Sequence, residues 1–145
     1  MPKQILVVCV GNICRSPMAE ALLGSLLDPA YGVSSAGIGA LVGDPAHPMA
    51  VQLMQEQGLD ISTHRGRQLD ESLLQAADIV LPMEQQHARW IEERWPHARG
   101  RVFRFGHWDD TDIPDPYKRD EQVFRDVLEL ITTAAASWKQ QLDRL

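Results

Sequence analysis

Two continuous apolar runs predict the most deeply buried parts of the chain. They cover residues 4–10 and 77–83 and are rich in Val, Ile and Leu. Apolar runs without polar alternation are typical of strands buried on both faces of a parallel sheet. Two weaker strand candidates lie at residues 32–37 and 100–105. The pattern therefore predicts four strands.

Helical periodicity fills the stretches between and after these runs. It predicts helices over residues 16–27, 47–58 and 83–95, and a long one over residues 117–145. Apolar residues of the last segment recur every three or four positions and form one stripe; they are Val123, Val127, Leu130, Ile131, Ala134, Trp138 and Leu142. Alternating strands and helices predict an α/β fold, a doubly wound four-stranded parallel sheet with helices on both faces. Ligands of such folds bind beyond the carboxyl ends of the strands.

Length and composition fit one domain spanning residues 1–145, and they limit its partners. A net charge of -6 without a basic stripe argues against nucleic acid. No apolar run reaches the roughly 18 residues that cross a bilayer, and no signal-peptide pattern is present. We therefore expect a cytoplasmic protein without membrane insertion. Cys9 and Cys14 are the only cysteines and no His cluster stands at ligand spacing, so a zinc site would lack ligands. A structural disulfide is not expected in a reducing compartment, and we expect no metal and no cofactor.

The segment CVGNICRS, residues 9–16, joins the first strand to a predicted helix. Ser16 can cap that helix, and Pro17 fits its first turn. Backbone N–H groups at a helix N-terminus and in a tight glycine-containing loop make a cradle for a tetrahedral anion. Arg15, expected at the lip of the cradle, could donate two parallel hydrogen bonds to phosphate oxygens. The GxxxxGK[ST] pattern of nucleotide-binding loops is absent.

Cys9 has two interpretations, a small buried residue at a strand end or a nucleophile. A helix N-terminus and a nearby arginine both favour the thiolate form of a cysteine. A thiolate about 4 Å from a phosphate dianion is repelled by roughly 8 kcal/mol at an effective dielectric of about 20. One guanidinium at a similar distance attracts the two anions by roughly 12 kcal/mol on the same scale. The spacing of Cys9, Arg15 and Ser16 therefore favours the nucleophile.

The motif VCVGNICRSPMAEALL resembles the phosphate-binding loop of the low-molecular-weight protein tyrosine phosphatases, with its C-x5-R-S signature after the first strand. Further motifs of that family follow in order, namely SSAG, H-x-x-R-Q-L, ADIVLPME and IPDPY. The segments CVGNICRSP, GALVG and FGHWDD are similar to bacterial members associated with tyrosine kinases of capsule and exopolysaccharide export. The resemblance implies the phosphatase fold and a tyrosine phosphatase activity.

Cleavage of a phosphate ester requires an acid that protonates the leaving oxygen. Pro116 biases Asp115 towards an extended conformation, which stiffens its aim. From the residues alone Asp115 ranks only slightly above Asp112. The D-P-[YF] motif of the family matches residues 115–117, and this resemblance implies that Asp115 is the general acid. Tyr117 could form a wall of the cleft and pack against an aromatic leaving group.

The expected mechanism has two steps and uses Cys9, Arg15 and Asp115 as catalytic residues. The Cys9 thiolate attacks phosphorus while Arg15 and the loop amides hold the equatorial oxygens, and Asp115 protonates the phenolate. Asp115 then activates water, which hydrolyses the phosphocysteine and releases inorganic phosphate. The resemblance further implies that Ser16 hydrogen-bonds the Cys9 sulfur and that Asn12 fixes a strained loop conformation. The predicted substrate-binding residues are Val10, Gly11, Asn12, Ile13, Cys14, Ser16, Leu41 and Tyr117.

Cys14, Leu41 and His64 have roles that the sequence leaves undecided. Cys14 either fills space or protects Cys9 by condensing with its sulfenic acid. Leu41 matches a wall position that is aromatic in some family members. The smaller leucine leaves this wall of the cleft more open, so the substrate preference at this position is undecided. His64 is expected to touch an acidic partner, to lie on the solvated surface or to make a structural hydrogen bond.

Two rival functions fit parts of the same sequence pattern. An arsenate reductase of the same fold normally requires further cysteines, and the chain has one besides Cys9. A non-catalytic phosphate-binding module would need neither a nucleophile nor Asp115. The expected partner is a phosphotyrosine protein, a membrane tyrosine autokinase, with the phosphatase acting as a monomer.

Overall fold

The structure, a computed structural model, describes residues 3–145. Three parallel strands form one sheet, with β1 (Gln4–Cys9) between β2 (Gly32–Gly37) and β3 (Ile79–Pro82). The carboxyl ends of parallel strands lie at one edge of a sheet. Cys9 ends the central strand at that edge, where Gly37 is its partner on β2. The α/β fold is therefore confirmed.

The fourth predicted strand, residues 100–105, is not a regular strand of this sheet. The segment runs beside β3, where the Val80 N–H donates to the Arg101 carbonyl and a single bridge pairs Val80 with Val102. The next donor from β3 to this segment would be the N–H of residue 82. That residue is Pro82, which has no N–H, so this bond is missing and the pairing is incomplete, although the Phe103 and Phe105 N–H groups still donate to the Val80 and Pro82 carbonyls. The prediction of four strands is corrected to three.

Five helices surround the sheet. They are α1 (Arg15–Leu26), α2 (Pro48–Glu56), α3 (Glu71–Ala76), α4 (Gln85–Arg94) and α5 (Glu121–Leu142), and two 3-10 turns cover Pro96–Ala98 and His107–Asp109. The hydrophobic pattern did not predict α3, which is too short to show a periodic stripe. Its N-terminus is fixed by Asp70, whose carboxylate accepts from the Leu73 N–H at 2.9 Å.

The predicted helix starts are shifted by one to four residues in the structure, and those of α5 and α1 also differ in their caps. α5 begins at Glu121 rather than residue 117, since the Asp120 carboxylate caps it by accepting from the Val123 N–H. α1 begins at Arg15, and its capping residue, Cys14, makes no side-chain capping bond. The Ser16 hydroxyl is directed to the Cys9 sulfur instead of capping the helix.

Side chains of β1 alternate between two cores. Ile5 and Val7 pack with residues of α1, α2 and α5, whereas Leu6 and Val8 pack with residues of α3 and α4. Helices therefore cover both faces of the sheet, as predicted. In residues 3–145 no helix is both long and apolar enough to cross a membrane.

Candidate active site

The loop after β1, residues 10–14, turns its carbonyl groups outward. Neighbouring segments donate a hydrogen bond to each carbonyl from Cys9 to Ile13, at 2.6 to 3.0 Å. The donors in this order are the backbone N–H groups of Ile38, Gly39 and Leu41, the His64 Nε2 and the backbone N–H of His47. The bond from His64 identifies this residue as a structural partner of the loop.

The backbone N–H groups of the same loop remain available. Within residues 3–145 those of Gly11, Ile13, Cys14 and Arg15 donate to no protein acceptor. Arg15 is also the first residue of α1, so the positive end of the helix dipole lies at this loop. Unpaired N–H groups and a helix N-terminus together bind a tetrahedral anion.

Asn12 locks the loop in a left-handed backbone conformation, with φ of 59°. Its Oδ1 accepts from the Arg67 backbone N–H at 2.9 Å, which fixes the orientation of the amide. Its Nδ2 therefore donates to Ser16 Oγ at 2.8 Å and to Ser35 Oγ at 3.0 Å. Asparagine tolerates this conformation better than most residues.

The Cys9 sulfur lies at the centre of the loop, buried and not in a disulfide. Ser16 Oγ is 2.9 Å from Cys9 Sγ, and the Asn12 N–H donates to the same sulfur at 3.3 Å. Because Ser16 Oγ already accepts from the Asn12 amide, its hydroxyl proton is free to point at the sulfur. Two donors converge on Cys9 Sγ, an arrangement that stabilises a thiolate.

Arg15 lies under the loop rather than at its lip, because an acid and a carbonyl hold its guanidinium inside. Its Nη1 donates to Glu84 Oε2 at 2.6 Å and to the Ile113 carbonyl at 2.8 Å. The side chain is almost completely buried. Its Nη2 is 3.7 Å from Asp115 Oδ2. The predicted position of Arg15 is corrected, and its guanidinium still lines the cleft.

Asp115 and Asp112 have different surroundings. Asp112 Oδ1 accepts from the Gln85 N–H and from Arg104 Nη1. These two bonds hold the Asp112 carboxylate at the start of α4. Asp115 Oδ1 accepts from the Tyr117 N–H at 3.0 Å, and its half-exposed carboxylate lines the cleft. Of this pair only Asp115 lines the cleft that contains Cys9.

The cleft has a volume of about 220 Å³. All predicted site residues line the cleft except Asn12 and Ser16. The buried side chains of these two residues make the hydrogen bonds that orient the loop and the Cys9 sulfur. Gly39, which the sequence did not indicate, is part of the wall. Val10, Leu41 and Tyr117 are exposed and give the mouth an apolar rim. An anion is favoured at the floor of this cleft and a flat apolar group at its mouth.

Glu84 is the main residue that sequence reasoning missed. It lies two residues after the end of β3, at the edge where β1 ends in Cys9. Carboxyl ends of parallel strands meet at one edge, so an acid directly after the second buried run is a signal that could have found it. Its carboxylate neutralises the buried guanidinium and fixes its position.

Cys14 faces the same cleft but is chemically different from Cys9. Burial, followed by the nearby Cys9 and Asp115 charges, raises the pKa of the Cys14 thiol to about 12. Cys14 is therefore a neutral thiol near pH 7 and a poor nucleophile in its resting form.

Comparisons with known proteins fit this geometry. A sequence model of the low molecular weight phosphotyrosine protein phosphatase family matches residues 4–145. The chain belongs to this family. It is 48% identical over 145 residues to a probable low molecular weight protein-tyrosine-phosphatase EpsP of Ralstonia solanacearum, with 100% of this chain and 99% of the relative covered.

Solved structures show how far the shared fold extends. The tyrosine phosphatase Wzb of Escherichia coli K30, solved in complex with sulphate, has a TM-score of 0.93 at 41% identity, covering 98% of this chain and 99% of that one. The YwlE arginine phosphatase of Geobacillus stearothermophilus has a TM-score of 0.93 at 34% identity, covering 99% and 94%. The protein is a low-molecular-weight protein tyrosine phosphatase, a hydrolase of phosphoric monoesters. These comparisons do not favour an arsenate reductase or a non-catalytic module.

Proposed function

We propose that Cys9, Arg15 and Asp115 carry the reaction of this phosphatase. In the first step the Cys9 thiolate attacks phosphorus in line, an S–P bond forms and the P–O bond to the phenol breaks. Asp115 gives its proton to the departing phenolate oxygen. The observation that supports this most strongly is one cleft containing a sulfur with two donors, unpaired loop amides, a buried arginine and a half-exposed carboxyl group.

The second step restores the thiolate. Asp115, now ionised, takes a proton from water, whose oxygen attacks the phosphocysteine and breaks the S–P bond. The products are inorganic phosphate, the Cys9 thiolate and protonated Asp115. The Arg15 guanidinium and the loop amides hold the equatorial oxygens in both steps, with the unpaired amides of Gly11, Ile13, Cys14 and Arg15 as phosphate contacts.

We propose that Leu41 and Tyr117 select an aromatic leaving group. An arginine phosphatase shares this fold, so the fold alone does not choose between a phenol and a guanidine. The exposed apolar rim here suits a phenol ring better than a charged guanidinium, which would lose hydration against it. Hydrolysis of phosphotyrosine and phosphoarginine peptides of one sequence tests this, and we expect a strong preference for phosphotyrosine.

The substrate we propose is a membrane tyrosine autokinase of capsule or exopolysaccharide production, dephosphorylated in the cytoplasm by a monomer of one domain. Support comes from the segments CVGNICRSP, GALVG and FGHWDD, which are similar to bacterial phosphatases associated with such kinases. A pull-down with Cys9→Ser from cells expressing such a kinase tests the partner. We expect retention of the phosphorylated kinase and its release by vanadate; retention of the unphosphorylated form would contradict the proposal.

The roles of the residues are tested with p-nitrophenyl phosphate in reducing buffer. Cys9→Ser should abolish turnover, whereas full turnover would remove its assignment as the nucleophile. Asp115→Asn should slow phosphotyrosine more than an ester of a very acidic phenol, because only the former needs a proton on the leaving oxygen. Equal losses on both esters would show that Asp115 is not the acid.

A further inference from the structure

His47 connects three parts of the active site that are distant in sequence. Its backbone N–H donates to the Ile13 carbonyl of the Cys9 loop at 2.8 Å. It is also the capping residue of α2. Its ring packs against Tyr117, which belongs to the acid loop (residues 113–120), and against Phe124, which lies in α5 just after that loop. The partly buried imidazole therefore contacts one residue of this loop and one residue of the helix that follows it.

The ring contacts have distinct geometries. The centroids of His47 and Tyr117 are 6.2 Å apart with an interplanar angle of 85°, an edge-to-face pair. Those of His47 and Phe124 are 4.8 Å apart with an angle of 33°. Phe124 is fixed in the core by α5, so it is the rigid side of this group. Tyr117 is exposed, and the His47 ring is one of the contacts that limit its motion.

The capping bond fixes the orientation of the ring. Pro48 has no N–H, so Met49 provides an early N–H group of α2 that needs an acceptor, and it donates to His47 Nδ1 at 3.1 Å. An accepting Nδ1 carries no proton, so the ring is the neutral tautomer with its proton on Nε2. Burial, which lowers the pKa of His47, favours the same neutral form.

We propose that His47 is a positioning residue for the acid loop. Its ring holds Tyr117 at the mouth of the cleft, and the Tyr117 N–H in turn donates to the Asp115 carboxylate. His47 thus acts on catalysis through Tyr117, without touching the substrate. The inference rests on the proposed roles of Tyr117 and Asp115.

Two substitutions separate the ring from the cap. Asn at position 47 keeps an acceptor for the Met49 N–H but lacks the ring. Phe keeps a ring between Tyr117 and Phe124 but has no acceptor for the cap. We expect His47→Asn to lower kcat/KM for a phosphotyrosine peptide about 3- to 10-fold, the range of an aromatic pair. His47→Phe should retain most of kcat/KM and lower Tm by removing the cap.

Competitive inhibition by inorganic phosphate distinguishes a displaced acid loop from general damage to the active site, because only general damage would change the inhibition constant. Phosphate needs the Cys9 loop and Arg15 but not the acid loop, so its inhibition constant should stay within about twofold of wild type in His47→Asn. In a Tyr117→Ala background, His47→Asn should cause little further loss, because its route to Asp115 has been removed.

Each result decides a different assignment. Wild-type kcat/KM in His47→Asn, an equal loss in His47→Phe, or fully additive losses in the Tyr117→Ala background would overturn the positioning role of His47. A parallel loss of phosphate affinity would overturn it as well, in favour of damage to the Cys9 loop. Wild-type kcat/KM in Tyr117→Ala alone would instead overturn the proposed role of Tyr117, and the inference about His47 with it.

Discussion

Glu84 is the residue on which the position of Arg15 depends. Removing its carboxylate leaves a buried guanidinium with the Ile113 carbonyl and the more distant Asp115 as partners. Loss of one member of a buried pair costs about 3 kcal/mol. We therefore expect Glu84→Ala to lower both Tm and kcat.

Phosphate provides the matched control for this prediction. An anion in the cleft compensates the Arg15 charge, so added phosphate should raise Tm more in Glu84→Ala than in wild type. Glu56→Ala, which breaks an exposed pair with Arg125, should show no such difference. An equal phosphate shift in both variants and wild type would show that Glu84 does not balance Arg15.

The protective role of Cys14 predicts a characteristic pH dependence. Peroxide converts the Cys9 thiolate to a sulfenic acid, which condenses with Cys14 to give a disulfide and water. Burial is the largest cause that raises the pKa of Cys14, and it persists when Cys9 is a sulfenic acid, so the thiolate fraction should rise about tenfold for each pH unit between pH 7 and 9.

The condensation rate, measured after catalase removes the peroxide, should rise with pH in the same way. Thiol reductant should restore activity in wild type and much less in Cys14→Ser. A rate that does not change with pH would rule out attack by the Cys14 thiolate, and equal recovery in the variant would remove the protective role.

For single residues, the sequence predicted which side chains lie together but not every hydrogen bond that they make. Cys9, Arg15 and Asp115 lie together because strand ends and the D-P-Y motif place them at one edge. Ser16 was expected also to cap a helix. A hydroxyl serves equally well as a cap or as a donor to sulfur, and only the position of Cys9 in three dimensions decides between them.

The end of β2 packs closely against the Cys9 loop at Gly37. A Cβ on Gly37 would collide with the Val10 carbonyl and press on the Asn12 side chain. We expect Gly37→Ala to destabilise the protein by about 1–3 kcal/mol and to weaken inhibition by phosphate, since the loop must shift.

Gly24→Ala is the matched control because Gly24 is exposed in α1 with open space around its Cα. It should stabilise the protein by up to about 1 kcal/mol through helix propensity and leave phosphate inhibition unchanged. Thermal unfolding and inhibition assays on both variants measure this. Unaltered phosphate inhibition in Gly37→Ala would show that the loop does not depend on this contact.

The elements show where hydrophobic patterning succeeds and where it fails. The run at residues 4–10 predicts β1 because burial on both faces leaves no polar alternation. The weaker candidate at residues 100–105 fails because pairing also depends on the partner strand, and Pro82 removes a required donor. α3 has six residues, too few for a helical period to appear.

For the whole molecule, buried histidines predict how stability changes with pH. Burial lowers the pKa of His87 despite the attraction of Glu84, whose Oε2 is 3.5 Å from His87 Nε2. Within residues 3–145 His87 Nδ1 has no hydrogen-bond partner, so protonation would bury an unpaired N–H. The folded state therefore prefers neutral His87.

The sign of the effect follows from linkage. Below a pH of about 6.5 the unfolded chain takes up a proton at this position before the folded protein does, so folding stability falls as pH falls. His87→Gln should show a smaller loss of unfolding free energy between pH 7 and 5 than wild type, because the histidine whose pKa is lowered in the folded state is gone. Denaturant unfolding at several pH values measures both slopes; identical slopes would remove His87 as a contributor.

The outward-turned carbonyls of the Cys9 loop have a consequence for how specificity can change over time. Anion affinity is encoded in peptide groups that Ile38, Gly39, Leu41, His47 and His64 hold in place during folding. The exposed Val10 side chain makes none of these bonds. This position can accept substitutions that reshape the rim while the floor keeps its affinity, which separates the evolution of leaving-group preference from that of phosphate binding.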